Sequence, residues 1–449
     1  MYVITVRREL IVLVPAPIRT LRSEIEHQMK IHNYTLSKLS QQSGINNGHL
    51  SLILNANPPR PMTIKQLDAI GRAFDQPEGW LYELYSEECF RHEKVSRPRV
   101  IPYFIKCVQI GRFDCVEAVV SIMLEDLKSS LLILFEVAEQ LFHTGLKQES
   151  IPFYRYVIEN ERNNFSDIFV MSQYRLFVAS QGLDAEENWR AVIRFEPYRK
   201  RLPENIQLDA HLKLANLCFT LQKWKDMERY ADELRELATI LYKNELRKKN
   251  SDKISEPLKA TYHLVAYYGL GFLLKALALK HQGFYEQSKE YTLGYADLSW
   301  FETLDETGQF EVKRFQLWAK GNLFTLDMLI GNIGVLPDYL QYLRVNPHEI
   351  LPGLVTIVKA ANMHTFQIED VLHEFSYEIS RFDKYEDVFK RGLHLRFRFD
   401  LATYYFQRGK YVEGIDTISF CIALCQGMNS DETFLLECIK LYEEHKFKT

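Results

Sequence analysis

The apolar positions of the N-terminal region repeat at the spacing of short helices. From Ile18 onward, apolar residues three or four apart predict a first helix that continues to about Met29. Thr35 is placed to cap a second helix, and Gly44 to end it, because glycine adopts the left-handed conformation of a tight turn. Asn46 is then expected to start a third helix.

The pattern continues through two more expected helices. The third helix has one buried stripe, formed by Leu50, Ile53 and Leu54. A proline-rich loop that carries Arg60 follows, and Thr63 is expected to cap a fourth helix. A fifth helix is predicted after Pro77, with its buried positions at Trp80, Leu81 and Leu84. The sequence therefore predicts a compact head of five helices.

The third helix keeps short polar residues opposite its buried stripe, near its N-terminal end. Such side chains suit base edges and phosphates, because a helix N-terminus fits into the major groove of DNA. The candidate DNA-binding residues of the head are Thr35, Lys38, Asn46, Asn47, His49, Ser51, Asn55 and Arg60. The alternative, a head used only for dimerisation or autoinhibition, stays open.

The charge of the chain is unevenly distributed. The formal net charge is −4, yet residues 16–74 carry seven Lys or Arg against three Asp or Glu. A small basic head on an acidic body is the pattern expected when only the head meets phosphate.

The run 35–85 resembles the phage-repressor (Cro/cI, or XRE) helix-turn-helix family. The residues that carry the resemblance are Leu39, Gly44, Ile45, Leu50, Ile53, Leu67, Ala69, Phe74, Trp80 and Leu81. The resemblance implies recognition-helix positions for Asn46, Asn47, His49 and Ser51, and places Arg60 beside phosphate. Two residues depart from the pattern: Ser40 stands where the family usually has alanine, and Gly48 costs the helix about 1 kcal/mol.

Beyond Pro98 the chain follows a repeating rhythm of helix, turn and helix. Turns are predicted at Gly111, Gly145, Gly182, Gln222, Gly283, Gly321, His364–Thr365 and Gly409. Most of these turns are 34 to 44 residues apart, the period of tetratricopeptide-type helical hairpins. One interval is longer because it contains the polar stretch 243–257, which we interpret as a loop insertion.

The last repeat is the clearest. It resembles the tetratricopeptide (TPR) pattern of small, aromatic and turn residues at Ala402, Tyr405, Gly409, Tyr411, Gly414 and Ile418. The predicted fold class is all-α: a five-helix repressor-type HTH domain followed by a right-handed TPR-like α-solenoid. The predicted domains are an N-terminal arm of uncertain role (1–15), the HTH domain (16–88), a linker (89–98) and the repeat domain (99–449).

A TPR superhelix binds extended peptides on its concave face. The register of the predicted turns gives a set of peptide-binding candidates: Asp209, Asn216, Tyr267, Lys359, Asn362, Arg396 and Arg175. Asn216 and Asn362 are of particular interest, because one Asn side chain can hydrogen-bond both the N–H and the C=O of an extended backbone. The alternative is that each Asn bonds a neighbouring helix inside the core.

An HTH head joined to TPR-like repeats resembles the RRNPP family of peptide-sensing regulators in Gram-positive bacteria and their phages. The resemblance implies a cytoplasmic homodimer, a short signalling peptide in the repeat groove, and peptide-dependent binding to a DNA operator that is expected to be palindromic. Whether the peptide promotes or abolishes DNA binding stays open. One alternative is a DNA-anchored scaffold for a protein partner. Another is a bifunctional protein resembling the response-regulator phosphatases.

The sequence gives little support to an enzyme or a metal site. It contains no HExxH, GxxxxGK[ST] or GxSxG motif, so we expect no catalytic residue and no cofactor. The seven cysteines include no CxxC pair, and Cys421 and Cys425 have no nearby ligand in sequence, so reduced core thiols are expected rather than a metal site. Charged residues interrupt the apolar run within 1–15, which speaks against a signal peptide. An extra strand, an arm and a misassigned start codon all stay open there.

Overall fold

The computed structural model describes residues 19–91, 94–123, 127–249, 259–385, 387–426 and 432–448. The predicted N-terminal arm, 1–15, lies outside these residues. The described part is mostly helical, and its strands are β1 (Phe90–Arg91) and β2 (Lys94–Val95), which form an antiparallel pair. The predicted all-α class is therefore confirmed.

The chain divides into two compact units, residues 1–202 and residues 203–449. The first unit begins with α1 (Leu21–Ile31), α2 (Leu36–Ser43), α3 (Asn47–Leu54) and α4 (Ile64–Ala73). Its apolar core is continuous from Leu21 in α1 to Ala179, beyond the predicted linker, so these four helices share their core with the helices that follow.

The predicted helix starts of the head are confirmed. Thr35 and Asn46 have extended or near-extended backbones, and each side chain accepts a hydrogen bond from the first turn of the helix that follows it. Thr63 caps α4 in a reciprocal arrangement with Gln66. Gly44 ends α2 with a φ of 71°, the left-handed conformation that glycine adopts without a Cβ clash.

The predicted fifth α-helix of the head is wrong. The chain after Pro77 forms turns and then a 3-10 helix, η1 (Tyr82–Cys89). Gly79 and Leu81 both have positive φ, at 83° and 60°, and a left-handed residue cannot continue a right-handed helix. Of the three predicted buried positions, Leu81 is fully buried whereas Trp80 and Leu84 are half-buried.

The rest of the first unit consists of helices joined by short turns. They are α5 (Arg97–Gln109), α6 (Phe113–Met123), α7 (Leu127–His143), α8 (Lys147–Asn160), α9 (Asp167–Ala179), α10 (Ala185–Phe195) and the 3-10 helix η2 (Glu196–Arg201). Consecutive helices pack as hairpins, and α5 also packs on α7 and α7 on α9.

The second unit is also built from helices joined by turns. Its elements are α11 (Glu204–Thr220), α12 (Trp224–Lys249), α13 (Leu264–His281), α14 (Tyr285–Ala296), α15 (Glu306–Ile330), η3 (Ile333–Val335), α16 (Leu336–Val345), η4 (Pro347–Glu349), α17 (Ile350–His364), α18 (Glu369–Glu374), α19 (Ser376–Ile379), η5 (Phe382–Lys384), α20 (Val388–Gln407), α21 (Tyr411–Gln426) and α22 (Glu432–His445). Helix α13 packs on α11 and α15, and α17 packs on α15 and α20. Neighbouring hairpins therefore stack through their first helices, and the second helices α12 and α14 also pack on the first helix of the next hairpin.

Most predicted turns of the repeats are confirmed. Six of the predicted turns contain a residue with positive φ, namely Gly111, Gly145, Gln222, Gly283, Thr365 and Gly409. Gly182 lies in the turn between α9 and α10. The turn predicted at Gly321 is wrong, because Gly321 lies inside α15 and the helix ends at Gly331, with a φ of 103°. A Cβ at Gly321 would lie 2.8 Å from the Tyr342 hydroxyl, so this glycine permits close helix packing.

The polar stretch 243–257 is not a loop throughout. Helix α12 extends to Lys249 and places three basic residues in its last turn, where positive charge offsets the helix dipole. The Lys249 ammonium donates a hydrogen bond to the Glu302 carbonyl at 3.2 Å. The predicted insertion therefore begins as helix, and residues 250–257 lie outside the described part of the chain.

Candidate DNA interface and ligand cavity

The polar candidates on α3 lie on an exposed surface. Asn47 and His49 are exposed and Ser51 is half-buried, whereas Leu50 and Ile53 on the opposite face are fully buried. Of the other DNA-binding candidates, Thr35, Lys38, Asn46, Asn55 and Arg60 are also exposed. The head therefore presents these side chains to solvent at the N-terminal half of α3 and beside it.

Local hydrogen bonds fix the N-terminus of α3. The Asn46 side-chain oxygen accepts from the Gly48 N–H at 2.8 Å, so this candidate caps the helix as well as facing solvent. A Cβ at Gly48 would lie 3.2 Å from that oxygen, which gives the unusual glycine a physical reason. The Ser40 hydroxyl donates to the Ile45 carbonyl at 2.7 Å, so the other departure from the family pattern stabilises the turn between α2 and α3.

A buried ion pair holds α1 against the loop that carries Arg60. The Arg22 guanidinium donates to the Ile53 carbonyl at 2.8 Å and to the Arg60 carbonyl at 3.2 Å, and its third nitrogen lies 2.7 Å from a Glu88 carboxylate oxygen. The other oxygen of Glu88, a fully buried residue, accepts from the Met62 N–H at 2.6 Å. This network fixes the C-terminal end of α3 and leaves the Arg60 side chain exposed.

The second unit contains a cavity of about 720 Å³ lined by residues from α13, α15, α16, α17 and α20. Two predicted peptide-binding residues, Lys359 and Arg396, line it. Lys280 also lines the cavity, although it is not among the peptide-binding residues predicted from the sequence. The signal that could have identified Lys280 is its position at the end of the apolar helix α13, three residues before the turn glycine Gly283.

Asn362 bonds a neighbouring helix, as in the alternative raised for it. Its side-chain nitrogen donates to the Asp400 carbonyl in α20 at 2.8 Å. Its side-chain oxygen is buried and has no hydrogen-bond partner among the described residues. Asn362 therefore connects α17 to α20, next to the cavity rather than in its lining.

Asp209 and Tyr267 form a pair within the second unit. The buried Tyr267 hydroxyl donates a short hydrogen bond to one Asp209 oxygen, and the Thr261 hydroxyl donates to the other at 2.6 Å. Burial, and then the hydrogen bond to Asp209, raise the pKa of Tyr267. These groups satisfy one another and do not line the cavity, so the structure does not place Asp209 or Tyr267 with Lys359 and Arg396. Asn216 is exposed on α11 and does not line the cavity either.

Arg175 lies in the first unit and is engaged by a carboxylate. Its guanidinium makes two hydrogen bonds to Glu139, at 2.9 and 3.1 Å, and the Tyr154 hydroxyl donates to the same carboxylate at 2.6 Å. The side chain of Arg175 is only 15% exposed. A bidentate, mostly buried pair of this kind connects α7, α8 and α9, so Arg175 has a structural role here.

The cavity combines aromatic walls with positive charge. Trp318, Tyr339 and Tyr342 contribute the aromatic surface. Lys280 and Lys359 line the same cavity, and burial, followed by the charge of Lys359, lowers the pKa of Lys280. Such a lining can bind an anionic group that also carries apolar surface.

The C-terminal helices form a cluster of three cysteine thiols, of which the sequence indicated only two as neighbours. Cys438 of α22 joins Cys421 and Cys425 of α21, and the three sulfur atoms lie within 4.8 Å of one another. All three side chains are buried, and the Cys421 and Cys438 sulfurs are 3.7 Å apart. The sequence could not show this contact, because α22 returns to α21 only in the folded chain.

No helix in the described part of the chain is both long enough and apolar enough to cross a membrane. Searches for similarity added no family assignment: no protein-family model matches the chain, and no curated protein matches it.

Proposed function

We propose that this protein is a DNA-binding transcription regulator of the RRNPP type, controlled by a short peptide bound in the cavity of the second unit. The observation that carries the proposal is the exposed polar face of α3, held by a capped N-terminus and a tight turn after α2. A short helix with this exposure suits the major groove, because polar side chains at its N-terminal end can reach base edges.

The helical hairpins support the second half of the proposal. Paired helices joined by tight turns, with first helices stacked on one another, are consistent with a right-handed TPR-like solenoid, the architecture that binds extended peptides on its inner surface. The cavity volume of about 720 Å³ lies within the range of ligand pockets. Lys359 and Arg396 are the predicted residues that we retain as peptide-binding candidates, and Lys280 joins them.

The same proposal includes a homodimer on a palindromic operator. Two copies of α3 about 34 Å apart would read successive major grooves on one face of a duplex. A peptide can bind one arrangement of the dimer more tightly than another. The resulting change in the free energy of DNA binding is at most the difference between the peptide's binding free energies for the two arrangements.

The DNA-binding half is tested by selection from a randomised duplex pool. Full-length protein is mixed with the pool, bound duplexes are recovered, and the recovered sequences are compared with the input. We expect enrichment of a sequence whose two halves are related by a dyad and centred 10–10.5 base pairs, or a multiple, apart. Recovered duplexes with the composition of the input would contradict specific DNA binding. Such a result would favour a scaffold role for the helical repeats.

A further inference from the structure

Two lysines share the cavity of the second unit without a carboxylate to neutralise them. Lys280 is at the end of α13 and Lys359 is in α17, and both line the cavity. Within the described residues, neither ammonium has a carboxylate oxygen within 4.0 Å, although such pairs are frequent elsewhere in the same unit. Two partly buried like charges repel each other, so this arrangement costs stability unless an anion joins them.

The two carboxylates that line the cavity form their ion pairs with residues other than these lysines. Asp400 is buried and pairs with Arg396 at 3.2 Å, whereas Glu349 lies 3.5 Å from its neighbour His348. Burial raises the pKa of Asp400, and the charges of Arg396 and Lys359 act in the opposite direction. The surplus positive charge of the cavity is therefore located at the lysine pair.

The imidazole of His281 lies in the cavity lining with Lys280 and Lys359. His281 lines the cavity and stacks on Trp224, with ring centroids 4.4 Å apart. Desolvation, followed by the charges of Lys280 and Lys359, lowers the pKa of His281 to about 4. The imidazole is thus uncharged near pH 7 and adds an aromatic surface without adding to the repulsion. Together with Trp318 on α15, it gives a ligand apolar surface beside the charged pair.

We propose that Lys280 and Lys359 bind a carboxylate group of the peptide, while the aromatic walls contact its apolar side chains. This inference rests on the proposed function and names the chemistry of its ligand. A carboxylate between two ammonium groups gains charge-assisted hydrogen bonds and removes their mutual repulsion. The carboxylate belongs either to the C-terminus of the peptide or to an Asp or Glu side chain.

Three randomised heptapeptide pools distinguish these two sources. The first pool ends in a free carboxylate and lacks Asp and Glu. The second is amidated and contains Asp and Glu, and the third is amidated and lacks both. Full-length protein is incubated with each pool, and the retained peptides are identified by mass spectrometry. We expect the first or the second pool to be retained about tenfold or more above the third.

Matched variants locate the interaction. Lys280→Met and Lys359→Met should each lower the retention of carboxylate peptides about tenfold. Lys213→Met, which removes an exposed lysine of the same unit outside the cavity lining, should leave retention unchanged. Because the cavity variants remove a repelled charge, their thermal unfolding midpoints should be no lower than that of the wild type. A thermal unfolding midpoint below that of the wild type would contradict the inference that Lys280 and Lys359 repel each other without a counter-ion.

The outcomes separate this inference from the proposed function. Equal retention of all three pools, or retention that Lys280→Met leaves unchanged, would overturn the carboxylate site and leave peptide binding intact. A wild-type protein that retains no peptide from any pool would contradict both proposals.

Discussion

Replacing Glu88 by alanine is expected to lower the free energy of unfolding of the first unit by about 3 kcal/mol. The carboxylate is only 4% exposed, and it accepts from the Met62 N–H while pairing with Arg22. Its removal leaves a buried amide and a mostly buried guanidinium without their acceptor, and losing one partner of a buried pair costs more than the pair contributes as a whole. Urea unfolding followed by circular dichroism measures the loss.

The neighbouring glutamate provides a matched control. Glu87 is exposed, so Glu87→Ala should change stability by no more than about 0.5 kcal/mol. Glu88→Gln keeps an acceptor for the Met62 amide and should fall between the two variants. If Glu88→Ala were as stable as Glu87→Ala, the network that holds α1 to the Arg60 loop would not have the role given to it here.

The double variant Asn47→Ala/His49→Ala is expected to lower affinity for the selected duplex about tenfold to a thousandfold. Each side chain is exposed on α3, and one base contact contributes about 1–3 kcal/mol of discrimination. Since neither side chain is buried, each substitution should change the free energy of unfolding by no more than about 0.5 kcal/mol. Fluorescence anisotropy at one fixed salt concentration measures the affinity.

The matched control is a polar pair on a different helix. His27→Ala/Gln28→Ala removes one exposed and one half-buried polar side chain from α1, and should leave affinity for the duplex within about twofold of the wild type. An equal loss in both double variants would show that α3 has no special role in reading DNA.

The features that the sequence predicted correctly depend on neighbouring residues. Thr35, Asn46 and Thr63 cap their helices through residues two or three positions along the chain, so their roles are visible in a short segment. Gly44 and Gly283 end helices for a similarly local reason, because a tight turn needs a positive φ.

The features that the sequence could not show depend on distant contacts. Gly321 has the appearance of a turn residue, yet it lies in α15 against the Tyr342 hydroxyl, 21 positions along the chain. Tyr267 has the helical position of a groove residue, but its hydroxyl bonds Asp209, 58 positions away. Helical register predicts the face of the helix on which a side chain lies. It cannot show which residue of another helix forms a hydrogen bond with that side chain.

Of the two cavity lysines, the sequence predicted Lys359 as a ligand-binding residue but not Lys280. Lys359 was a candidate because of its register in α17, whereas Lys280 was missed because α13 is apolar and its last turn resembled an ordinary basic helix end. Only the packing of α13, α15 and α17 places both lysines at one cavity. The sequence therefore predicted positive charge in the groove without the pairing that suggests a carboxylate ligand.

The most direct test of the account measures the coupling between the two proposed sites. The selected duplex is held at a fixed concentration, and the best retained peptide is titrated into its complex with the full-length protein while anisotropy is recorded. The account predicts a change of at least about fivefold in duplex affinity, and a change by the same factor in peptide affinity when duplex is added. A peptide that binds the protein and leaves duplex affinity unchanged would contradict peptide-controlled DNA binding.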